Sequence, residues 1–406
     1  MPVYLTPGVY VEEVPGSPPI VGVGTSTAAF IGVVEAGVVM PFKPGRPLDP
    51  LYELPDDRFE LAPTRQPVLV TNFDQFKNKF GDFQSGNQIL AHSVFGFFLN
   101  GGTRCWVVRV SDIEDATEVG NALLELEKID EVAIVAAPGA LTQDVQEAVI
   151  SHCEVMLDRF AVIDGQRAIE GGVTITIDVA SIQGDVGDSN FAALYFPWFF
   201  VTDQTIDPAT GRAQAGARLL VPPSGYLAGI YARVDATRGV HKAPANEAVR
   251  GALALEYLVS HNEQAGLNPR GINVIRGFNG NFKVWGARTL GGDANGEFKY
   301  INVRRLFNFL RESIDEGTQF AVFEPNSPPL WAKITRSVTA FLTNVWRDGA
   351  LFGDTPEQAF FVRCDETTNP PEVRDLGQVV TEIGVAVVKP AEFVIFRISQ
   401  ITGNIG

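Results

Sequence analysis

Residues able to do covalent chemistry are few in this chain and lie far apart. The 406 residues include three cysteines (Cys105, Cys153 and Cys364) and four histidines. His152 and Cys153 are adjacent, but the local pattern predicts that both lie on one helix, where neighbouring residues project in different directions. We therefore favour a buried thiol beside a surface imidazole over a nucleophilic Cys–His pair.

The segment Gly22-Val23-Gly24-Thr25-Ser26-Thr27 is the nearest match to a phosphate-binding loop. A dinucleotide fingerprint needs a third glycine where this chain has Thr27, and it needs a strand upstream, where this chain is rich in proline. We interpret the segment as a link into the first strand. No Walker A, HExxH, GxSxG or paired CxxC sequence occurs. The sequence therefore predicts no catalytic residue, no metal site and no cofactor.

The composition is that of a globular chain, with 45% apolar and 20% charged residues. A net charge of −16 argues against nucleic-acid or anionic-membrane partners, which are bound through Lys and Arg. Residues 1–218 hold 13 basic and 29 acidic side chains, whereas residues 219–406 hold 19 of each. In an assembly of many copies, we expect the acidic half to face solvent and the balanced half to pack.

Both ends of the chain are predicted to be extended arms. Five prolines among the first twenty residues exclude a helix, and residues 8–14 between them have the composition of a strand. A second strand is predicted over residues 390–400. The alternative is a pair of flexible tails, but a lone strand can instead pair with a sheet edge on another subunit. The candidate inter-subunit residues are Val9, Tyr10, Val11, Phe393, Val394, Ile395, Phe396 and Ile398.

Between the arms the pattern predicts an α/β (mixed α+β) fold. The order strand–helix–strand over residues 132–164 indicates a parallel sheet with a right-handed crossover. Three helices are predicted further along the chain, over residues 246–266, 301–315 and 330–346. We expect four parts: an N-terminal β-arm (1–20), an outer acidic α/β domain (21–218), a core domain (219–389) and a C-terminal β-arm (390–406).

The helix predicted over residues 330–346 has two distinct faces. At about 100° per residue, one face is apolar and is predicted to lie in the core. Lys333, Arg336 and Arg347 fall within about 60° of one another on the opposite side. Solvated faces usually mix charge signs, whereas the charges here are all basic. The face is an ordinary solvated surface or, as we propose to test, a docking site for an acidic partner. The predicted core positions are Leu330, Ile334, Val338, Phe341, Leu342 and Val345.

Several short motifs follow one another in order through the distal half. They include Pro222-Pro223-Ser224-Gly225, Trp285-Gly286-Ala287-Arg288-Thr289-Leu290, Tyr300-Ile301-Asn302-Val303-Arg304-Arg305-Leu306, Phe323-Glu324-Pro325-Asn326 and Pro390-Ala391-Glu392-Phe393-Val394, with Thr6-Pro7-Gly8-Val9-Tyr10 at the start. Together they cover residues 190–400 and the N-terminal arm. This pattern resembles the contractile tail sheath proteins of phages, phage-tail-like bacteriocins and extracellular contractile injection systems.

The resemblance implies an inner sheath domain with two β-arms and an outer α/β domain. It further implies hexameric rings stacked helically around an inner tube, between a baseplate and a tail terminator. The arms would add strands to the core-domain sheets of neighbouring subunits. A core-domain helix would touch the tube, and Lys333, Arg336 and Arg347 are the candidate contacts. Assembly would occur in the bacterial cytoplasm, and contraction would drive the tube through a target envelope.

Two alternatives remain open from the sequence. The first is an enzyme on a Rossmann-like first half, with the distal half serving only to form oligomers. The second is another component of a phage-tail shell, such as a tube or terminator protein, although these are usually shorter and lack the motifs above.

Overall fold

A computed structural model describes residues 19–45, 57–207 and 211–397 of the chain. The chain forms two compact units. Of the described residues, the large unit comprises 23–45, 57–207, 211–311 and 387–397, and the small unit comprises 19–22 and 312–386. The boundary between the units does not fall between residues 218 and 219, where the sequence predicted it, because the central sheet includes strands from both sides of that position.

The described residues contain the following strands: β1 (Ala28–Val33), β2 (Val68–Val70), β3 (Cys105–Val110), β4 (Ile134–Ala136), β5 (Phe160–Asp164), β6 (Ile169–Glu170), β7 (Val173–Thr174), β8 (Ala192–Phe196), β9 (Phe199–Thr202), β10 (Ile206–Asp207), β11 (Arg212–Ala213), β12 (Arg218–Val221), β13 (Ala254–Leu255), β14 (Ile272–Phe278), β15 (Asn281–Val284), β16 (Phe360–Arg363) and β17 (Glu382–Val385).

The central sheet has eight strands in the order β15-β14-β8-β5-β4-β1-β3-β2. Its six inner strands are parallel, and β2 and β15 pair antiparallel at the edges. The parallel strands β4, β5 and β8 are buried along their whole length, as expected for a sheet covered on both faces. Because β14 pairs with β8, the sheet continues past residue 218 and joins both halves of the sequence. The α/β class is confirmed.

The helices are α1 (Phe73–Phe80), α2 (Gln88–Asn100), α3 (Ala116–Leu126), α4 (Gln143–Met156), α5 (Val179–Gln183), α6 (Ser224–Arg238), α7 (His261–Leu267), α8 (Ile301–Thr318), α9 (Pro328–Arg347), α10 (Pro356–Ala359) and α11 (Pro371–Asp375). None of the helices in the described residues is both long and apolar enough to span a bilayer.

Helix α6 packs closely against α2 in the core of the large unit. Ten of its residues, from Ser224 to Val234, are buried around the whole circumference of the helix. Glycines make the close approach possible: a Cβ atom at Gly229 would overlap the carbonyl oxygen of Phe97, and one at Gly225 would lie 2.6 Å from the Cβ of Ser93. The two helix backbones therefore approach to a distance that excludes any side chain at these positions.

The helix predicted over residues 246–266 is wrong for most of its length. Asn246 and Gly251 adopt positive φ values of 59° and 91°, which a right-handed helix does not allow. Strand β13 instead pairs with β9. The backbone N–H groups of Leu253 and Glu256 donate to the carbonyl oxygens of Phe200 and Trp198, which holds the segment extended. The helix that does form, α7, begins after Ser260, whose side chain caps it in a box with Glu263.

In the small unit, α9 lies against the two-stranded sheet of β16 and β17. The core face predicted for this helix is confirmed, since all six of its apolar positions are buried. Trp331 is buried as well, and its indole N–H donates to the side chain of Asn326 at 2.8 Å. This bond fixes the start of the helix against the preceding loop.

Candidate interaction surfaces

The exposed face of α9 carries the three basic residues predicted to contact an inner tube. Arg336 and Arg347 are exposed, whereas Lys333 is half-buried. The Lys333 ammonium lies 4.2 Å from the ring centroid of Phe320, which is within cation–π range. The structure therefore places all three on one side of the helix, with two guanidinium groups open to solvent.

These three residues form a positive face on a negative unit. Residues 312–386 hold five basic and twelve acidic side chains, and three of the five basic ones are on α9. Residues 219–311 hold twelve basic and six acidic side chains. The equal numbers of basic and acidic side chains in residues 219–406 thus arise because a net positive stretch and a net negative stretch cancel. The positive charge of residues 312–386 is thus concentrated on α9.

A groove of about 750 Å³ runs beside α9 in the small unit. Trp331, Thr335 and Thr339 line it from the helix, and Cys364, Asp365 and Glu366 line it from the segment after β16; the remaining lining residues are Pro328, Ala332, Arg336 and Ala340. Hydrogen bonds from Thr367 lower the pKa of Asp365, so its carboxylate stays ionised. The groove is mostly apolar and has charged groups of both signs in its walls.

The sheet beside this groove has open edges. Strands β16 and β17 pair with each other, and within the described ranges no third strand joins them. An unpaired strand edge presents N–H and C=O groups that can accept a further strand.

The strand predicted over residues 390–400 is absent from its described part in the single chain, since residues 390–397 have no regular secondary structure. A strand needs a partner, and none of the described strands pairs with this segment. Its apolar side chains are exposed instead, namely Phe393 (70%), Val394 (69%), Ile395 (78%) and Phe396 (84%). Val9, Tyr10, Val11 and Ile398 lie outside the described residues.

Glu392, immediately before this exposed run, is held by a cluster that the sequence reasoning missed. Its carboxylate accepts from Arg288 Nε at 2.8 Å and Nη2 at 2.9 Å, from Asn268 Nδ2 at 2.7 Å and from Tyr300 Oη at 2.9 Å. Burial would raise the pKa of Glu392, but these bonds, led by that from Arg288, lower it. Glu392, Arg288 and Tyr300 stand in the motifs that carried the resemblance, and those motifs were the available signal.

The segment compared with a phosphate loop is engaged in a second ion-pair cluster. Arg305 donates to both carboxylate oxygens of Asp235, at 3.0 and 2.6 Å, and to the carbonyl oxygen of Thr25 at 2.8 Å. The Thr25 hydroxyl donates to Asp235 at 2.7 Å. The polar groups of Thr25 are thus used within the protein, and the segment is an anchored link into β1.

His152 and Cys153 are both buried on α4. Burial raises the pKa of the Cys153 thiol far above its ordinary value. Burial and the neighbouring Arg159 guanidinium lower the pKa of His152 to about 4, and its Nε2 lies 3.3 Å from Arg159 Nη1. The imidazole was expected at the surface but is buried. Among the described residues, no group of three or more His, Cys, Asp and Glu side chains is placed to hold a metal ion.

Two family models match the chain in succession. The phage tail sheath protein central domain matches residues 114–290, and the phage tail sheath C-terminal domain matches residues 293–401. The tail sheath protein of Vibrio phage KVP40 is 32% identical over 178 residues, which is 43% of this chain and 26% of that protein. The chain thus spans about a quarter of the length of that relative.

Solved structures match over nearly the whole chain. The sheath of the extracellular contractile injection system PVC, in its contracted state, is 29% identical with a TM-score of 0.74, covering 99% of both chains. The anti-feeding prophage (AFP) helical sheath in its contracted state is 28% identical with a TM-score of 0.73, covering 98% of this chain and 100% of that one. A chain of the AFP baseplate, determined with six-fold symmetry, matches at 28% identity and a TM-score of 0.72, with the same coverage.

At this identity and coverage, the described residues have the fold of these contractile sheath subunits. The family-model matches agree with the structural matches. The chain belongs to the phage tail sheath family.

Proposed function

We propose that this protein forms hexameric rings that stack helically around an inner tube, and that contraction of the stack drives the tube through a target envelope. The helical sheath and the six-fold baseplate of the AFP relative support this arrangement. A baseplate and a terminator would close the two ends, and assembly would take place in the bacterial cytoplasm. Contraction would proceed by rigid-body repacking of subunits, without a nucleotide or an active site.

Two separate features support the proposal: an exposed apolar segment at residues 393–396 and a two-stranded sheet, β16 with β17, that no other described strand joins. Residues Phe393 to Phe396 expose four large apolar side chains in succession, while β16 and β17 lack further partners among the described strands. We propose that the C-terminal arm of one subunit, and likewise the N-terminal arm, extends this sheet on a neighbour. Backbone hydrogen bonds would then link subunits through extended segments that bend as the lattice changes shape.

We further propose that the small unit with α9 faces the tube and that the acidic sequence before residue 219 lies on the outside. The positive face formed by Lys333, Arg336 and Arg347 would contact acidic groups on the tube. Such contacts between exposed charges are weak and screened by salt, which suits a surface that must release the tube during contraction.

Electron microscopy of the purified full-length protein tests the main proposal. We expect long striated hollow cylinders, formed by the protein alone or with its tube protein. Discrete small oligomers under all assembly conditions would contradict it and would favour the oligomeric-enzyme alternative.

Charge reversal on α9 tests the proposed tube contact. We expect Lys333→Glu with Arg336→Glu to reduce the tube-bound fraction of sheath by at least about tenfold at low salt, because attraction becomes repulsion. The difference should shrink as salt rises. Co-sedimentation with preformed tubes measures the bound fraction.

The matched control is Lys79→Glu with Lys128→Glu, which changes the net charge equally at exposed positions of the large unit. This control should bind tubes as the wild type does. Equal binding by the two double variants would remove α9 from the proposed contact.

A further inference from the structure

We propose that the cluster around Glu392 is the positioning site of the C-terminal arm: it fixes where the arm leaves the large unit and transmits tension from the arm into the central sheet. This inference rests on the proposed role of the arm in joining subunits. The residues that hold the arm are Arg288, Asn268 and Tyr300.

The geometry is that of an anchor, because the carboxylate has a full set of donors. Arg288 binds both oxygens of Glu392 through two parallel N–H groups, and Asn268 and Tyr300 each add one further hydrogen bond. Paired charge-assisted bonds of this kind fix direction as well as distance. The Arg288 side chain is only 5% exposed and that of Glu392 only 19%, so water competes weakly for these bonds.

The anchor ends abruptly at the next residue. Phe393 is 70% exposed, and exposure stays high through Phe396 at 84%. Within the described part of the arm, these apolar side chains bury little surface that could hold it in place. The arm can therefore change direction immediately after Glu392, and a bend in the arm would begin at this residue.

Behind the anchor, hydrogen bonds continue into the sheet. The backbone N–H of Arg288 donates to Asn273 Oδ1, and Asn273 Nδ2 donates back to the carbonyl oxygen of Arg288, both at 2.8 Å. Asn273 is fully buried in β14, and its Nδ2 also lies 3.2 Å from the carbonyl oxygen of Leu194 in β8. A pull on Glu392 is thus passed through Arg288 to two parallel strands of the eight-stranded sheet.

Glu392→Gln tests the positioning role with almost no change in volume. The amide lacks the charge and, in either orientation, turns one acceptor into a donor that faces an N–H group of Arg288. In the dispersed full-length subunit we expect amide hydrogen exchange over residues 288–291, whose backbone N–H groups are all hydrogen-bonded behind the anchor, to accelerate about tenfold or more. We also expect sheath formation to require about tenfold more protein. Tyr300→Phe, which removes one donor, should give a smaller change in the same direction.

The control is Glu297→Gln, an exposed glutamate on the same unit, which should match the wild type in both measurements. Unchanged exchange in Glu392→Gln would overturn the anchor itself. Faster exchange with normal sheath formation would overturn its positioning role. Both outcomes are separate from a failure of the arm proposal, which a truncation after Glu392 decides.

Discussion

A chain that ends at Glu392 is expected to fold normally and to form no sheath. Residues 393–397 contribute exposed side chains, so removing everything after Glu392 takes no described residue from the core and keeps the anchor intact. The lost strand would carry a few backbone hydrogen bonds worth roughly 1 kcal/mol each. Three such bonds alter an association constant by more than about a hundredfold. Sedimentation and electron microscopy measure the polymer, and thermal unfolding measures the fold.

Two substitutions at Ile395 separate the backbone pairing of the arm from its apolar contacts. Ile395→Pro removes a backbone donor and should weaken sheath formation strongly, if the N–H of that residue pairs with a neighbour. Ile395→Thr keeps a β-branched residue and the donor, so it should retain most of the assembly.

Wild-type polymerisation by the chain that ends at Glu392 would refute the arm-linked lattice.

Gly229→Ala is expected to destabilise the large unit by about 3 kcal/mol and to lower its unfolding temperature by about 5 °C or more. The added methyl group would overlap the Phe97 carbonyl oxygen and lie 2.9 Å from the Cβ of Asn100. Both obstacles belong to α2, whose backbone must then move away from α6 within a close-packed core. The intrinsic helix preference of alanine recovers only about 1 kcal/mol.

Gly120→Ala is the matched control, since Gly120 also lies inside a helix, α3, but its added Cβ would meet no atom within 4 Å other than those of its own helical turn. This variant should be stabilised by about 0.5 to 1 kcal/mol. Scanning calorimetry of the two variants gives the comparison. If both shifted in the same direction, the close approach of α2 and α6 would not be the cause.

Local pattern was sufficient for a helix with one buried face and for a short strand buried throughout. The apolar run that predicted β5 matches Phe160–Asp164, and the stripe on α9 matches its buried residues. The same reasoning gave no prediction for α6, because a helix buried all round has no stripe to detect. It also predicted a helix over residues 246–266, where apolar spacing is helix-like but backbone pairing with β9 imposes an extended path.

The amino-acid sequence alone determined the α/β class, the α9 face, the apolar character of the C-terminal arm and the resemblance to sheath proteins. These follow from local spacing and composition, which act over a few neighbouring residues. Only the tertiary structure decided that one sheet joins both halves and that Arg288 and Glu392, 104 residues apart, meet at the root of the arm. Such pairings depend on how distant segments close upon one another, and no local pattern specifies that.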